Sequence, residues 1–202
     1  MKRLWIFAGS LAFTLSGTAA WSSGNAEAGA TKSAVCQACH GPNGNSVNPQ
    51  WPRLAGMGAG YIVLQLENFK SGKRKNAIMM PMASGLSPED MADVAAYFEA
   101  QTNTGGESDP AYRDAGEKLY RGGDRSRAIP ACMACHEPSG RGNAPAKFPA
   151  LRGQHSEYVV QQLGDFASGT RPPGTGDIMG TVAKRLSADD MRDVASYVQG
   201  MH

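Results

Sequence analysis

The chain has 202 residues, with 20 Lys and Arg against 18 Asp and Glu, for a formal net charge of +2. A hydrophobic content of 41% suits a globular protein, and a mean hydropathy of -0.37 excludes a polytopic membrane protein. No basic stripe runs along the sequence, so a nucleic-acid partner is not expected.

Lys2 and Arg3 precede an apolar run over residues 4–15 and then the small-residue segment "SGTAA". Charged start, apolar centre and small-residue end are the parts of a secretory signal, assigned to residues 1–22 with an approximate cleavage site. The apolar run is too short to span a bilayer, which takes ~20 residues. The expectation is an exported, periplasmic protein, with peripheral membrane association still open. Without Lys2 and Arg3 the basic and acidic residues balance, and the cluster "KRK" at 73–75 reads as solvated surface.

The remainder is a tandem repeat. "VCQACHGP" (35–42) returns as "ACMACHEP" (131–138), and "WPRLAG" (51–56) as "FPALRG" (148–153). "YIVLQLENFKSG" (61–72) answers "YVVQQLGDFASG" (158–169), and "LSPEDMADVAAYF" (86–98) answers "LSADDMRDVASYV" (186–198). The offset grows from 96 to 97 to 100, a drift explained by small insertions such as "RPPGTGD" in the second half. A period this long marks two homologous domains, not a solenoid. The polar, Gly-bearing stretch "QTNTGGESDP" (101–110) reads as the linker, giving domains at 23–103 and 104–202.

Within each half the patterned segments are helical. Helix candidates cover about 25–35 and 110–121, just before each cysteine pair. Tyr61, Ile62, Leu64, Leu66 and Phe69 form an apolar face. Ser87 with Asp90, and Ser187 with Asp190, set up acidic capping boxes, with Pro88 suited to the first helical turn. Met91, Val94, Ala95 and Phe98 continue the first of these as a core face. The loops are rich in Gly, Pro and Asn and almost lack alternating strand patterns, so the fold class is all-α. Domains this small have little apolar surface for a core and need a bound centre to pack around.

All four cysteines, Cys36, Cys39, Cys132 and Cys135, fall in the two repeated phrases. A structural zinc site wants four ligands, usually from two separated pairs, and the first half has only His40 besides its cysteines. A thioredoxin-like dithiol needs a βαβ context that this sequence lacks. Haem attachment meets every constraint. Two thiols spaced by two residues add to the haem vinyl groups, and the next histidine, His40 or His136, becomes the proximal iron ligand. Two covalent haem c groups are therefore expected.

The sixth ligand follows from the repeat. The first half holds no second histidine, but several methionines. Met179 stands seven residues before Leu186, as Met79 stands before Leu86. Met80 and Met82 align with Gly180 and Val182, while Met91 and Met191 fall inside the capped helices and read as core. The axial pairs are thus His40 with Met79 and His136 with Met179. His155 aligns with Gly58 and reads as a surface residue. A His/Met pair raises the reduction potential and closes the iron to exogenous ligands, which points to electron transfer and not to an enzyme or a small-molecule substrate.

With "CQACHGPNGNS", "RLAG", "LYRGG", "GQHSEYVVQQLGDF" and "LS-x-x-DM-x-DVA-x-Y", the chain resembles the dihaem cytochrome c4 family along its whole mature length. The resemblance implies two class I cytochrome c domains in pseudo-twofold arrangement, with haems near their interface. It implies that the Pro42 and Pro138 carbonyls bond the proximal histidine rings. It also implies that Gly116, Tyr120 and Tyr197 form the crossing of first and last helices, with Gly29 but Ser33 in the other half. Its implied role is a shuttle from the quinol-oxidising cytochrome complex towards a terminal oxidase. The dihaem cytochrome subunit of a flavocytochrome sulfide dehydrogenase is the alternative.

Overall fold

The computed structural model describes residues 24–172 and 175–202, so the stretch 1–22 expected to be a signal lies outside the described residues. The described residues form ten α-helices and two single 3-10 turns, with no strand beyond two isolated bridges. No described helix is long and apolar enough to cross a membrane. The first half holds α1 (Ala26–Lys32), α2 (Ala34–His40), α3 (Ala59–Lys70), α4 (Met79–Ser84) and α5 (Pro88–Glu99). The second holds α6 (Pro110–Gly122), α7 (Met133–His136), α8 (Ser156–Ser168), α9 (Ile178–Ala183) and α10 (Ala188–Gln199).

The local signals act where they stand. The Ser87 and Ser187 hydroxyls each accept from the backbone N–H three residues on, while Asp90 and Asp190 reach back, closing both capping boxes. Asn25 accepts from Glu27 and Ala28 N–H to start α1. The helix expected over 25–35 is interrupted: α1 ends at Lys32, fully buried Ser33 intervenes, and α2 carries the cysteines.

In each half the first and last helices cross at a glycine. A Cβ on Gly29 would lie 2.0 Å from the Asp93 carbonyl oxygen, and one on Gly116 would lie 2.0 Å from that of Asp193. Neither helix could approach so closely with a side chain there. Ser33, standing where the second half has Tyr120, leaves the crossing unaltered. The Tyr120 ring instead packs 5.5 Å from Tyr197 and donates its hydroxyl to the Glu137 carbonyl at 2.7 Å. Met57, Ile62, Leu66, Phe69, Met91 and Phe98 form most of one apolar core, joined across the boundary by Ala150. Leu119, Tyr120, Leu163, Val194, Val198 and Met201 form most of the other.

The two halves meet through polar side chains related by the repeat. Arg74 donates to the Tyr158 hydroxyl and to Gln162 Oε1, at 3.0 and 2.6 Å. Arg171 returns the pattern, donating to the Tyr61 hydroxyl and to Gln65 Oε1, at 2.5 and 3.0 Å. Each pair stands 97 residues apart, so the contact is close to isologous. Two expectations are corrected here. Arg74 is not solvated surface like its exposed neighbours Lys73 and Lys75, but half-buried in this contact. His155 is not on the surface either: it is 6% exposed and bonds across the boundary to Ser46. Helix periodicity reveals which residues share a face but not that a second domain will cover a polar one.

The linker is strapped down. Asn45 donates to the Thr102 carbonyl and accepts from Thr104 N–H, and Asn103 donates to the Arg152 carbonyl. Gln154 clamps the Arg53 backbone from both sides, accepting from its N–H at 2.8 Å and donating to its carbonyl at 2.9 Å.

Candidate functional site

A short helix in each half carries two cysteines and a histidine. On α2, Cys36, Cys39 and His40 stand at i, i+3 and i+4 and so share one face. Cys132 caps α7, which contains Cys135 and His136, and the His136 N–H donates to the Cys132 carbonyl at 2.9 Å. The spacing is the same, built in a single turn. All four thiols are unpaired and half-buried. Burial pushes the Cys36 thiol up, and the Cys132 thiol up to about 11. A redox dithiol works by the opposite shift. Among the described residues no three His, Cys, Asp or Glu side chains are placed to hold one metal ion together.

The histidine rings are held in one tautomer. His40 Nδ1 lies 2.9 Å from the Pro52 carbonyl, and His136 Nδ1 lies 2.9 Å from the Pro149 carbonyl. A carbonyl only accepts, so Nδ1 carries the proton and Nε2 keeps its lone pair. That is the form an iron ligand takes, and the outer bond fixes its orientation. Burial lowers both rings' affinity for a second proton, keeping them neutral.

These acceptors correct the expectation of Pro42 and Pro138. Both of those prolines stand two residues past their histidine. The Pro42 carbonyl is taken by the Asn45 N–H, inside the 3-10 turn 42–44. The ring instead reaches the returning loop, "WPRLAG" or "FPALRG", which is pinned by Leu54 N–H to the Gly44 carbonyl and Leu151 N–H to the Gly140 carbonyl, both at 2.8 Å. The two loops matched in the repeat, and that match was the available signal.

The methionines separate by environment. Met79 opens α4 and packs, half-buried, against the apolar cluster that also takes Cys36. Met179 in α9 packs likewise against the cluster that takes Cys132. Met80 and Met82 are 37% and 38% exposed, while Met57 and Met91 are buried in the core. In each half a thioether and the first thiol of the pair thus pack against one apolar cluster, and the second thiol and a neutral imidazole with a free Nε2 follow within one helical turn of that first thiol. This donor set fits haem c, which when bound supplies a one-electron Fe(III)/Fe(II) couple.

Comparison with known proteins agrees. A family model described as cytochrome c matches residues 26–102 and again 114–202. Cytochrome c4 of Azotobacter vinelandii is 46% identical over 193 residues, covering 91% of this chain and 92% of its own. The thiosulfate dehydrogenase electron acceptor of Stutzerimonas stutzeri is 40% identical, covering 96% and 93%. The crystal structure of reduced recombinant cytochrome c4 from Pseudomonas stutzeri superposes with a TM-score of 0.86 at 46% identity, covering 89% of this chain and all of that one. With tandem domains, paired Cys-x-x-Cys-His motifs and this likeness along both halves, the chain belongs to the cytochrome c4 family of electron-transfer proteins and binds two covalent haem c groups.

Proposed function

We propose that this chain is an exported, periplasmic dihaem carrier that takes electrons from a quinol-oxidising cytochrome complex and passes them towards a terminal oxidase. Cys36 and Cys39 anchor one haem and Cys132 and Cys135 the other. His40 with Met79 would ligate one iron, and His136 with Met179 the other. The observation that carries the reading is that in each half a thioether and the first cysteine of the pair pack against one apolar cluster, while the histidine next to that pair is held neutral by a proline carbonyl. Two protein ligands per iron leave no position for a substrate, so the role is transfer and not catalysis. Its partner contacts are small and transient, as in weak redox encounters.

The relative named as an electron acceptor of thiosulfate dehydrogenase supports a second reading, in which the electrons arrive from that enzyme. Stopped-flow mixing separates the two. Reduced protein mixed anaerobically with a terminal oxidase should lose both electrons rapidly without any flavoprotein. Fast reduction by thiosulfate dehydrogenase with slow transfer to the oxidase would favour the second reading. Isolation only as a tight complex with a flavin subunit would favour the sulfide dehydrogenase alternative.

A further inference from the structure

The peptide group that holds the His40 ring is held in turn by the other half. His40 Nδ1 donates to the Pro52 carbonyl at 2.9 Å, and the N–H of that same peptide belongs to Arg53. That N–H donates to Gln154 Oε1 at 2.8 Å, and Gln154 Nε2 donates to the Arg53 carbonyl at 2.9 Å. Gln154 is 4% exposed, and its Oε1 also accepts from the His155 N–H at 3.1 Å. Two N–H donors on one atom fix which end of the amide is the oxygen. The preceding peptide is tied across the boundary as well. The Trp51 carbonyl accepts from the Ser46 hydroxyl at 2.6 Å, and the Ser46 carbonyl meets His155 Nε2 at 2.9 Å.

The second half lacks this arrangement. His136 donates to the Pro149 carbonyl at 2.9 Å, but the N–H of that peptide, on Ala150, finds no acceptor among the described residues. The repeat explains the difference. Gly56 and Gly153 correspond, so the residue standing where Gln154 does is Met57, which has no amide and is buried in the first core cluster. The two histidines share a local bond and differ in what lies behind it.

An amide that donates at its N–H becomes a better acceptor at its carbonyl, by about 10–30% per added bond. A stronger bond at Nδ1 raises the basicity of the imidazole as an iron ligand. A more basic ligand favours Fe(III) over the electron-rich Fe(II) state and so lowers the reduction potential. We propose that Gln154 is a positioning residue for the first haem, acting from the other half through the Pro52–Arg53 peptide and His40 to hold that haem's potential down. The inference rests on the dihaem reading above. Docking of the second half thereby reaches the first iron, with no counterpart of Gln154 acting in the other direction.

The test uses the holoprotein labelled with nitrogen-15 histidine, as wild type, Gln154→Met and Gln154→Glu, with haem content measured for each. NMR of the reduced state reads the Nδ1–H signals of His40 and His136. A redox titration reads each haem's potential from its own methyl signals, assigned to a half by their contacts with Cys36 or Cys132. Gln154→Met keeps the length of the side chain but cannot pair with the Arg53 peptide groups as an amide does. It should move the His40 signal upfield and raise the first potential, leaving His136 and the second potential as in wild type. Gln154→Glu, protonated or not, still accepts from the Arg53 N–H. It should hold the His40 signal at its wild-type position or further downfield, with the first potential no higher than in wild type. Should Gln154→Met fail to fold, Gln154→Asn, which withdraws the same amide by one methylene, is expected to give the Met result. A side chain that merely fills space would leave His40 unmoved in Gln154→Met, or make Gln154→Glu shift as Gln154→Met does, and either result overturns the proposal. Equal changes at both haems would do the same. Wild-type protein with fewer than two haems, or with His40 not bound to iron, would overturn the dihaem reading instead.

Discussion

His155 Nε2 lies 2.9 Å from the carbonyl oxygen of Ser46, a bond that ties the start of α8 to the opposite half. The Ser46 hydroxyl donates to the Trp51 carbonyl at 2.6 Å, so the ring must supply its own proton at Nε2. Burial, with Arg53 nearby, lowers the His155 pKa from its ordinary 6.5. The ring is docked as a neutral donor.

A pH dependence follows. Above about 6.5 the ring is neutral whether docked or free, and the contact is at full strength. As pH falls below that value, the undocked state takes up a proton that the docked state resists, so stability is lost until the lowered pKa is passed. Thermal unfolding of the holoprotein should show a falling Tm between pH 7 and 5. His155→Gln, whose amide can donate but not titrate, should flatten that fall. An equal slope in both proteins would rule out His155 as the titrating group.

The methionine assignment has a spectroscopic outcome. Met79→Ala should remove one thioether-to-ferric-iron near-infrared band, and Met179→Ala the other. Met80→Ala and Met82→Ala, at positions 37% and 38% exposed, should keep both bands. Loss of a band in Met82→Ala would show the repeat register to be wrong.

The helix crossings can be overfilled. Gly29→Ala and Gly116→Ala each place a methyl 2.0 Å from a backbone oxygen that cannot swing aside. Each should destabilise its half by about 3 kcal/mol, the upper end of the overpacking range. Gly164→Ala on α8, where a Cβ meets nothing within 4 Å, should be neutral or stabilising by up to ~1 kcal/mol. Denaturant titrations would compare the three.

The capping boxes are worth less. Ser87→Ala and Ser187→Ala each remove one acceptor for the N–H of Asp90 or Asp190, at 3.1 Å in both halves. A loss of about 1 kcal/mol is expected from each, read from the shift in denaturation midpoint.

Much of this protein is decided by adjacent residues. Two cysteines and a histidine at fixed spacing, a serine three before an aspartate, and a glycine on each first helix act within one or two turns. Local geometry carries them into the fold unchanged. The repeat extended that reach, because Met79 and Met179 were separable from Met80 and Met82 only by their shared register with Leu86 and Leu186. Contacts that depend on how distant segments return were decided by the tertiary structure. The acceptors of the histidine rings proved to be Pro52 and Pro149, since a ring facing the domain interior meets whichever loop packs there. His155 and the 73–75 cluster that holds Arg74 read as surface in a single domain, and His155 is buried and Arg74 half-buried where the second domain meets them. A polar side chain records in sequence its own chemistry, while its partner across an interface is fixed by the docking of whole helices.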